Sequence, residues 1–102
     1  MLIVLTTVLS LDDGDSLAKK ILEKKLAACV QILPQMTSVY VWEGKLQKEN
    51  ERLLLIKTTM EKYDELEAFI VANHSYDVPE IIAIDAERVS DGYIKWLVAS
   101  LT

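Results

Sequence analysis

Residues 37–56 read TSVYVWEGKLQKENERLLLI and predict a long β-hairpin. Valine alternates with aromatic residues up to Trp42, which is typical of a strand whose two faces differ. Gly44 then marks a turn, and the polar stretch 47–52 leads into the apolar run 53–56. We therefore expect an exposed hairpin arm whose returning strand enters the middle of a sheet.

The segments on either side of this hairpin show strand and helix patterns. β-Branched apolar runs predict strands, and apolar residues at helical spacing predict helices. Before the hairpin, the pattern predicts a strand over 2–9, a helix from Ser16 to about Ala28 after a start signal in 10–16, and a strand that begins at Cys29 to Ile32 and is interrupted around Pro34. After the hairpin, it predicts a helix that Thr58 and Glu61 cap and that ends near His74, a strand over 81–84 and a helix from Ser90 or Asp91.

This order predicts one α+β domain over residues 1–102. The pattern is that of a ferredoxin-like β-α-β-β-α-β sandwich with a long hairpin between its second and third strands and a short C-terminal helix. Two helices are expected to cover one face of an antiparallel sheet, which leaves the other face to solvent or to a partner. The aromatic residues Tyr40 and Trp42 on the arm favour a partner.

Composition limits the classes of partner. The chain has 102 residues and a formal net charge of -5, whereas nucleic-acid-binding proteins carry a basic stripe, so no nucleic-acid partner is expected. Hydrophobic residues make up 51% of the chain, a high share for a small domain, which predicts apolar contact with other subunits. The single cysteine excludes an intramolecular disulfide and agrees with a reducing compartment.

The apolar N-terminal run 2–9 is predicted to be a strand and not a signal peptide. No basic residue precedes it, acidic residues follow it at once, and it is too short to span a bilayer. We therefore expect a soluble, cytoplasmic protein that makes no contact with a membrane.

Four strings of sequence occur in a fixed order along the chain. They are LAACV at 26–30, SVYVWEG at 38–44, LLLIKT at 53–58 and HSYDVPEII at 74–82. In this combination and spacing the chain resembles the CutA family of divalent-cation tolerance proteins over nearly its whole length. The resemblance implies a cytoplasmic ferredoxin-like homotrimer that assembles through its hairpins and has a non-enzymatic role in the response to copper and other divalent metal ions.

The same resemblance points to metal ligands. Some family members carry a cysteine where this chain has Thr6 and a second histidine where it has Asn73, so weak to moderate binding of Cu(II) or another divalent cation is implied. His74 is the only histidine and the best single candidate for a ligand.

Any metal site at His74 needs further ligands, because one imidazole does not hold an ion. The remaining candidates are Cys29, Asp77 and Glu80. Two alternatives stay open, namely that His74 caps the second helix by bonding its last carbonyls, and that Cys29 is a small buried hydrophobic residue. No organic cofactor is implied.

Large aromatic and charged residues outside the predicted core suggest an inter-subunit cleft or ligand pocket. They are Tyr40, Trp42, Lys57, Tyr76, Glu80 and Trp96. Lys57 interrupts the end of an apolar strand. We expect it to form an ion pair with a carboxylate, and binding of an anionic ligand is the alternative. A trimer that resembles the PII nitrogen regulators would hold a small ligand in such a cleft.

Three hypotheses of function follow: a cation-binding trimer, a small-ligand-binding or signalling module, and a purely structural trimer. An enzyme is not expected, and no catalytic residue is predicted. An acylphosphatase has the same fold but needs an arginine-bearing phosphate loop after its first strand. The two arginines of this chain, Arg52 and Arg88, lie elsewhere.

Overall fold

One strand of fourteen residues organises the sheet, and five strands and three helices make up the fold. The computed structural model describes residues 1–102. The elements are β1 (Leu2–Val8), α1 (Leu11–Glu23), β2 (Cys29–Ile32), β3 (Met36–Trp42), β4 (Lys45–Thr58), α2 (Met60–Asn73), β5 (Ile82–Asp85) and α3 (Asp91–Ser100). All strand pairs are antiparallel, which confirms the predicted α+β class and agrees with a ferredoxin-like fold.

The long strand β4 pairs with three other strands. Its first half pairs with β3, from Trp42 opposite Lys45 to Met36 opposite Glu51. Its second half lies between β1 and β2 in a sheet of order β2-β4-β1-β5, as the apolar run of the sequence predicts. Pro34 falls between β2 and β3, so the predicted interruption of the strand is also confirmed.

A two-residue loop joins the strands of the hairpin arm. Glu43 has a φ of 50° and Gly44 a φ of 77°, so both residues are in the left-handed region. Positive φ at both positions is the mark of a type I′ turn, whose twist matches that of the flanking strands. The predicted turn at these residues is therefore confirmed.

The core lies between one face of the sheet and the helices α1 and α2. Alternate residues of the central strands enter it, together with the apolar faces of the two helices. The fully buried members with the largest side chains include Val4, Ile21, Leu54, Ile56, Leu66 and Ile70. None of the helices has the length and apolar character that a membrane span needs.

The opposite face of the sheet is also apolar and is only partly covered. Ile82 and Ile84 pair with Leu5 and Ile3 and are 47% and 49% exposed. The helix α3 contacts this face at one end, where Nζ of Lys57 on β4 lies 5.3 Å from the ring centroid of Tyr93 on α3. We call the uncovered part the open sheet face.

The first helix begins earlier and ends earlier than the sequence predicts. Ser10 is its N-cap, since its Oγ accepts from the backbone N–H of Asp13 at 3.1 Å. The acidic residues after it favour the first turn of a helix, so α1 starts at Leu11 and not at Ser16. Lys25 has a φ of 55° and ends the helix well before the predicted boundary at Ala28.

The predicted capping box at Thr58 and Glu61 is wrong. Thr58 is the last residue of β4, and its hydroxyl donates to the carbonyl of Leu26 at 2.7 Å. The N-cap of α2 is Thr59, which makes no side-chain cap bond. The Thr58 hydroxyl bonds a nearby backbone carbonyl at the buried end of β4 and therefore does not cap the helix.

Candidate functional site

A groove of about 820 Å³ runs between the hairpin arm and the loop over residues 75–80. One wall is formed by β3 and β4, and the other by the loop that follows α2. Its lining combines large aromatic residues with carboxylates. The residues that matter for its chemistry are Tyr40, Trp42, Glu49, Glu51, Tyr76, Asp77 and Glu80.

The register of the arm decides which side chains enter the groove. Ser38 pairs with Glu49 and Tyr40 pairs with Gln47, so these four residues share one face of the arm. The opposite face, which we call the back of the arm, follows from the alternation of a strand. It carries Val39, Val41 and Leu46, all exposed. The predicted division of valines and aromatic residues between the two faces is thus confirmed.

His74 positions the loop wall through both of its ring nitrogens. Nε2 lies 2.7 Å from the carbonyl oxygen of Thr7, and Nδ1 lies 3.0 Å from the backbone nitrogen of Tyr76. Because a carbonyl only accepts and an amide N–H only donates, Nε2 carries the proton and Nδ1 accepts. The strand β5 pairs with β1 only as far as Leu5, and His74 bonds β1 beyond that point.

This geometry replaces the helix-cap interpretation of His74. The residue is the C-cap of α2, yet its ring bonds strand β1 and not the last carbonyls of the helix. The amide of Asn73 bonds the carbonyl of Phe69 instead, at 2.9 Å. Both imidazole nitrogens are occupied by backbone groups, so His74 could bind a metal ion only after releasing one of them.

Tyr76 and Glu51 form a partly buried link between the loop wall and the strand wall. The Tyr76 hydroxyl donates to Oε2 of Glu51 at 2.6 Å, and Glu51 is 7% exposed. Burial, followed by the bond to this carboxylate, raises the pKa of Tyr76. Partial burial and the carboxylates of Glu49 and Glu51 also raise the pKa of Tyr40. Both phenols therefore stay neutral beside the carboxylates at physiological pH.

The structure brings together four of the six residues predicted for the cleft. Tyr40, Trp42, Tyr76 and Glu80 all line the groove. Lys57 and Trp96 lie instead in a cluster with Tyr93 at the end of the sheet that α3 covers, where the Tyr93 and Trp96 ring centroids are 5.4 Å apart.

The predicted ion pair of Lys57 with a carboxylate is not formed within this chain. The ammonium group of Lys57 lies over the Tyr93 ring, at the opposite end of the sheet from the groove. The one ion pair of the chain joins Lys19 and Asp15 on the surface of α1.

The predicted metal ligands lie in three separate places. Asp77 and Glu80 line the groove, and His74 bonds Thr7 beside it. Cys29 pairs with Lys57 on β4, and Lys57 pairs with Ile3 on β1. Ile3 is four residues, or about 13 Å, from Thr7 along β1, so Cys29 lies well away from His74. No group of three or more histidine, cysteine or acidic residues is placed to hold a metal ion within this chain.

The sequence prediction missed Glu49 and Glu51, which it left in an exposed polar arm. Their signal is an alternation of period two, in which acidic residues at 49 and 51 face the groove while Lys48 and Arg52 face away. The burial of Glu51 depends on Tyr76, twenty-five residues later, and local sequence does not show it.

Comparison with known proteins gives the family. The model of the family described as CutA1 divalent ion tolerance protein matches residues 2–100. A chloroplastic protein CutA of Arabidopsis thaliana is 47% identical over 96 residues, which are 94% of this chain and 53% of that protein. A divalent-cation tolerance protein CutA of Thermus thermophilus is 41% identical over 95 residues, 93% of this chain and 92% of that protein. The chain spans about half the length of the plant relatives that it matches.

Solved structures show the same fold. CutA1 from Pyrococcus horikoshii has a TM-score of 0.95 at 33% identity, over 100% of this chain and 99% of that one. A CutA from Archaeoglobus fulgidus, described as periplasmic, has a TM-score of 0.95 at 37% identity over the whole of both chains.

These names correct the prediction of a purely cytoplasmic location, because the Arabidopsis and rice relatives are named chloroplastic and the Archaeoglobus protein periplasmic. The family itself is settled by the match over residues 2–100 and by relatives of comparable length. The chain belongs to the CutA1 family of divalent ion tolerance proteins.

Proposed function

We propose that this protein is a homotrimeric, non-enzymatic divalent-cation tolerance protein that binds divalent cations weakly to moderately in the groove. The observation that carries the proposal is the charge of the lining. Glu49, Glu51, Asp77 and Glu80 line the groove, and no lysine, arginine or histidine does. A concave site with one sign of charge concentrates ions of the opposite sign.

The donor atoms of the groove favour weak binding. Carboxylates are ligands for hard divalent cations, whereas copper and zinc prefer imidazole and thiolate. The residues of one subunit do not fit a dedicated metal centre, since no three of them converge on one point. We therefore assign Asp77 and Glu80 the first role in cation binding. His74 could bind the cation only after one of its two hydrogen bonds to the backbone breaks, and Cys29 lies outside the site.

The apolar surfaces of the chain support the trimer. The back of the arm carries three exposed apolar side chains, of which Val41 is 66% exposed. The open sheet face adds Ile82 and Ile84. Contiguous apolar patches of this kind are typical of contact surfaces between subunits.

Calorimetric titration with Mn(II) and Cu(II) tests the cation site. The pair of substitutions Asp77→Asn/Glu80→Gln is compared with Asp64→Asn/Glu65→Gln, which changes the net charge equally on the surface of α2. We expect saturable binding that the groove pair weakens about tenfold and the helix pair leaves unchanged. Equal affinity in both pairs, or loss only in His74→Ala, would contradict the groove assignment. The mass from light scattering in the same buffer tests for three chains.

A second candidate function is a small-ligand-binding module. The observation that favours it is that four of six predicted cleft residues line one groove of about 820 Å³, within the usual size of ligand pockets. A thermal-shift screen with nucleotides, organic acids and amines tests it. A flat screen would contradict it and leave the cation-binding trimer untouched.

A further inference from the structure

Glu51 is a buried carboxylate that forms no ion pair with any cationic side chain of this chain. It is 7% exposed, and its one hydrogen-bond partner is the neutral hydroxyl of Tyr76. No lysine, arginine or histidine nitrogen lies within ion-pair distance of it, since Arg52 bonds the carbonyl of Leu33 instead. A buried carboxylate normally has a cationic partner, so this one points to a cation that comes from outside the chain.

The negative charge of the groove is spread along it. Glu49 and Glu51 stand two residues apart on one wall, about 7 Å between Cα atoms, and Asp77 and Glu80 lie on the other. The carboxylates do not converge on a single ion. Several separated negative charges match a ligand that carries several separated positive charges.

Aromatic rings lie between these charges. Tyr40 is 38% exposed and Trp42 is 51% exposed on the groove face of the arm, and Tyr76 lies in the opposite wall. Such rings attract ammonium groups and cover methylene chains at the same time. The one cation predicted for the cleft, Lys57, lies far from it, so no cationic side chain lines the groove to pair with an anionic ligand.

We propose that the groove binds a linear aliphatic amine with two or more ammonium groups. One ammonium group pairs with Glu51 and Glu49, the methylene chain runs over Tyr40 and Trp42, and the second ammonium group pairs with Asp77 or Glu80. This inference rests on the second candidate function, the small-ligand-binding module, and names the chemical class of its ligand.

Three probes of equal chain length test the ligand class on the wild-type protein. They are 1,8-diaminooctane, octylamine and 1,8-octanediol, titrated by calorimetry in one buffer. We expect saturable binding of the diamine, binding of the monoamine at least about tenfold weaker, and none of the diol. A diol that binds as well as the diamine would overturn the proposal.

Two substitutions test the place of binding. Glu51→Gln keeps an acceptor for Tyr76 and removes only the charge, and Trp42→Leu removes one ring. Each is expected to weaken the diamine about tenfold, whereas Glu61→Gln on α2 and Trp96→Leu on α3 keep the wild-type affinity. Undiminished binding in both groove variants would overturn the proposal. Circular dichroism confirms that each variant is folded.

The remaining outcomes separate the ligand class from the function on which it rests. If an organic acid binds and Trp42→Leu weakens it, the small-ligand module stands and the amine class is wrong. If amines, acids and nucleotides all fail to bind, both are wrong. Titration of Trp42→Leu with Mn(II) keeps metal binding apart, because removing a ring leaves every carboxylate in place.

Discussion

His74 joins the end of α2 to strand β1 and to its own loop. Its two ring nitrogens bond the carbonyl of Thr7 and the N–H of Tyr76, so one side chain fixes where the loop wall of the groove begins. Tyr76 then reaches Glu51 on the opposite wall. The width of the groove is thus set by a chain of three hydrogen bonds that starts at a backbone carbonyl.

Replacing His74 by alanine should destabilise the protein. The change leaves the carbonyl of Thr7 and the N–H of Tyr76 without partners, which costs about 2–3 kcal/mol. Urea denaturation followed by circular dichroism measures the loss. Asn73→Ala is the control, because Asn73 is exposed and bonds only within its own helix. Equal stability of the two variants would show that the His74 bonds contribute nothing to folding.

Tyr76→Phe should lower the free energy of unfolding by about 1–3 kcal/mol near neutral pH, since Glu51 stays buried without its donor. The difference should shrink at high pH. The folded pKa of Tyr76 is raised above 10.0, so above about pH 10 the unfolded state loses a proton that the folded state keeps. The wild type therefore loses stability as the pH rises above about 10, and Tyr76→Phe loses less. Parallel pH profiles of the two proteins would contradict this.

At the scale of elements, the two-residue turn decides how the hairpin arm closes. Gly44 has a φ of 77°, whereas Gly92 lies in the first turn of α3 in an ordinary helical conformation. Neither glycine has an atom within 4 Å of where a Cβ would stand. Backbone conformation alone therefore separates the two positions.

The same substitution should have opposite effects at these two glycines. Gly44→Ala is expected to destabilise the protein by about 1 kcal/mol, because a Cβ is strained at positive φ. Gly92→Ala is expected to stabilise it by about 0.5 kcal/mol, because alanine loses less backbone conformational entropy than glycine when the chain folds into a helix. Thermal unfolding of both variants checks the signs, and a change of the same sign in both would be inconsistent with a type I′ turn.

Sequence predicts elements best where the signal is local. The apolar run 53–56 and the Gly44 turn place the central strand and the arm correctly because their signals lie within the elements themselves. The start of α1 is missed because a leucine and a glycine obscure the capping signal of Ser10. The role of Thr58 is missed because its partner, Leu26, lies thirty-two residues earlier.

At the scale of the whole molecule, two surfaces of different chemistry lie back to back on the arm. The groove face carries acids and aromatic rings, and the back carries valines and a leucine. Sequence alternation predicts this division but not what each face meets. One wall of the groove comes from a loop that tertiary contacts with Thr7 and Glu51 hold in place.

Val41→Glu should weaken the proposed trimer. The side chain is 66% exposed in the single chain, and a charge buried there without a partner would lower the association constant about tenfold or more. Light scattering across a dilution series measures the mass. Ala72→Glu, which adds the same charge to the exposed surface of α2, is the control. A trimer that survives in both variants would exclude the back of the arm from the contact.

Paramagnetic broadening by Mn(II) tests whether the groove is the cation site of this protein. Trace Mn(II) is added to the isotope-labelled protein, and the amide signals are followed by NMR. We expect broadening centred on residues 49–51 and 76–80, which a diamine in excess reduces. Broadening centred on Cys29, or spread evenly over all acidic residues of the surface, would contradict it.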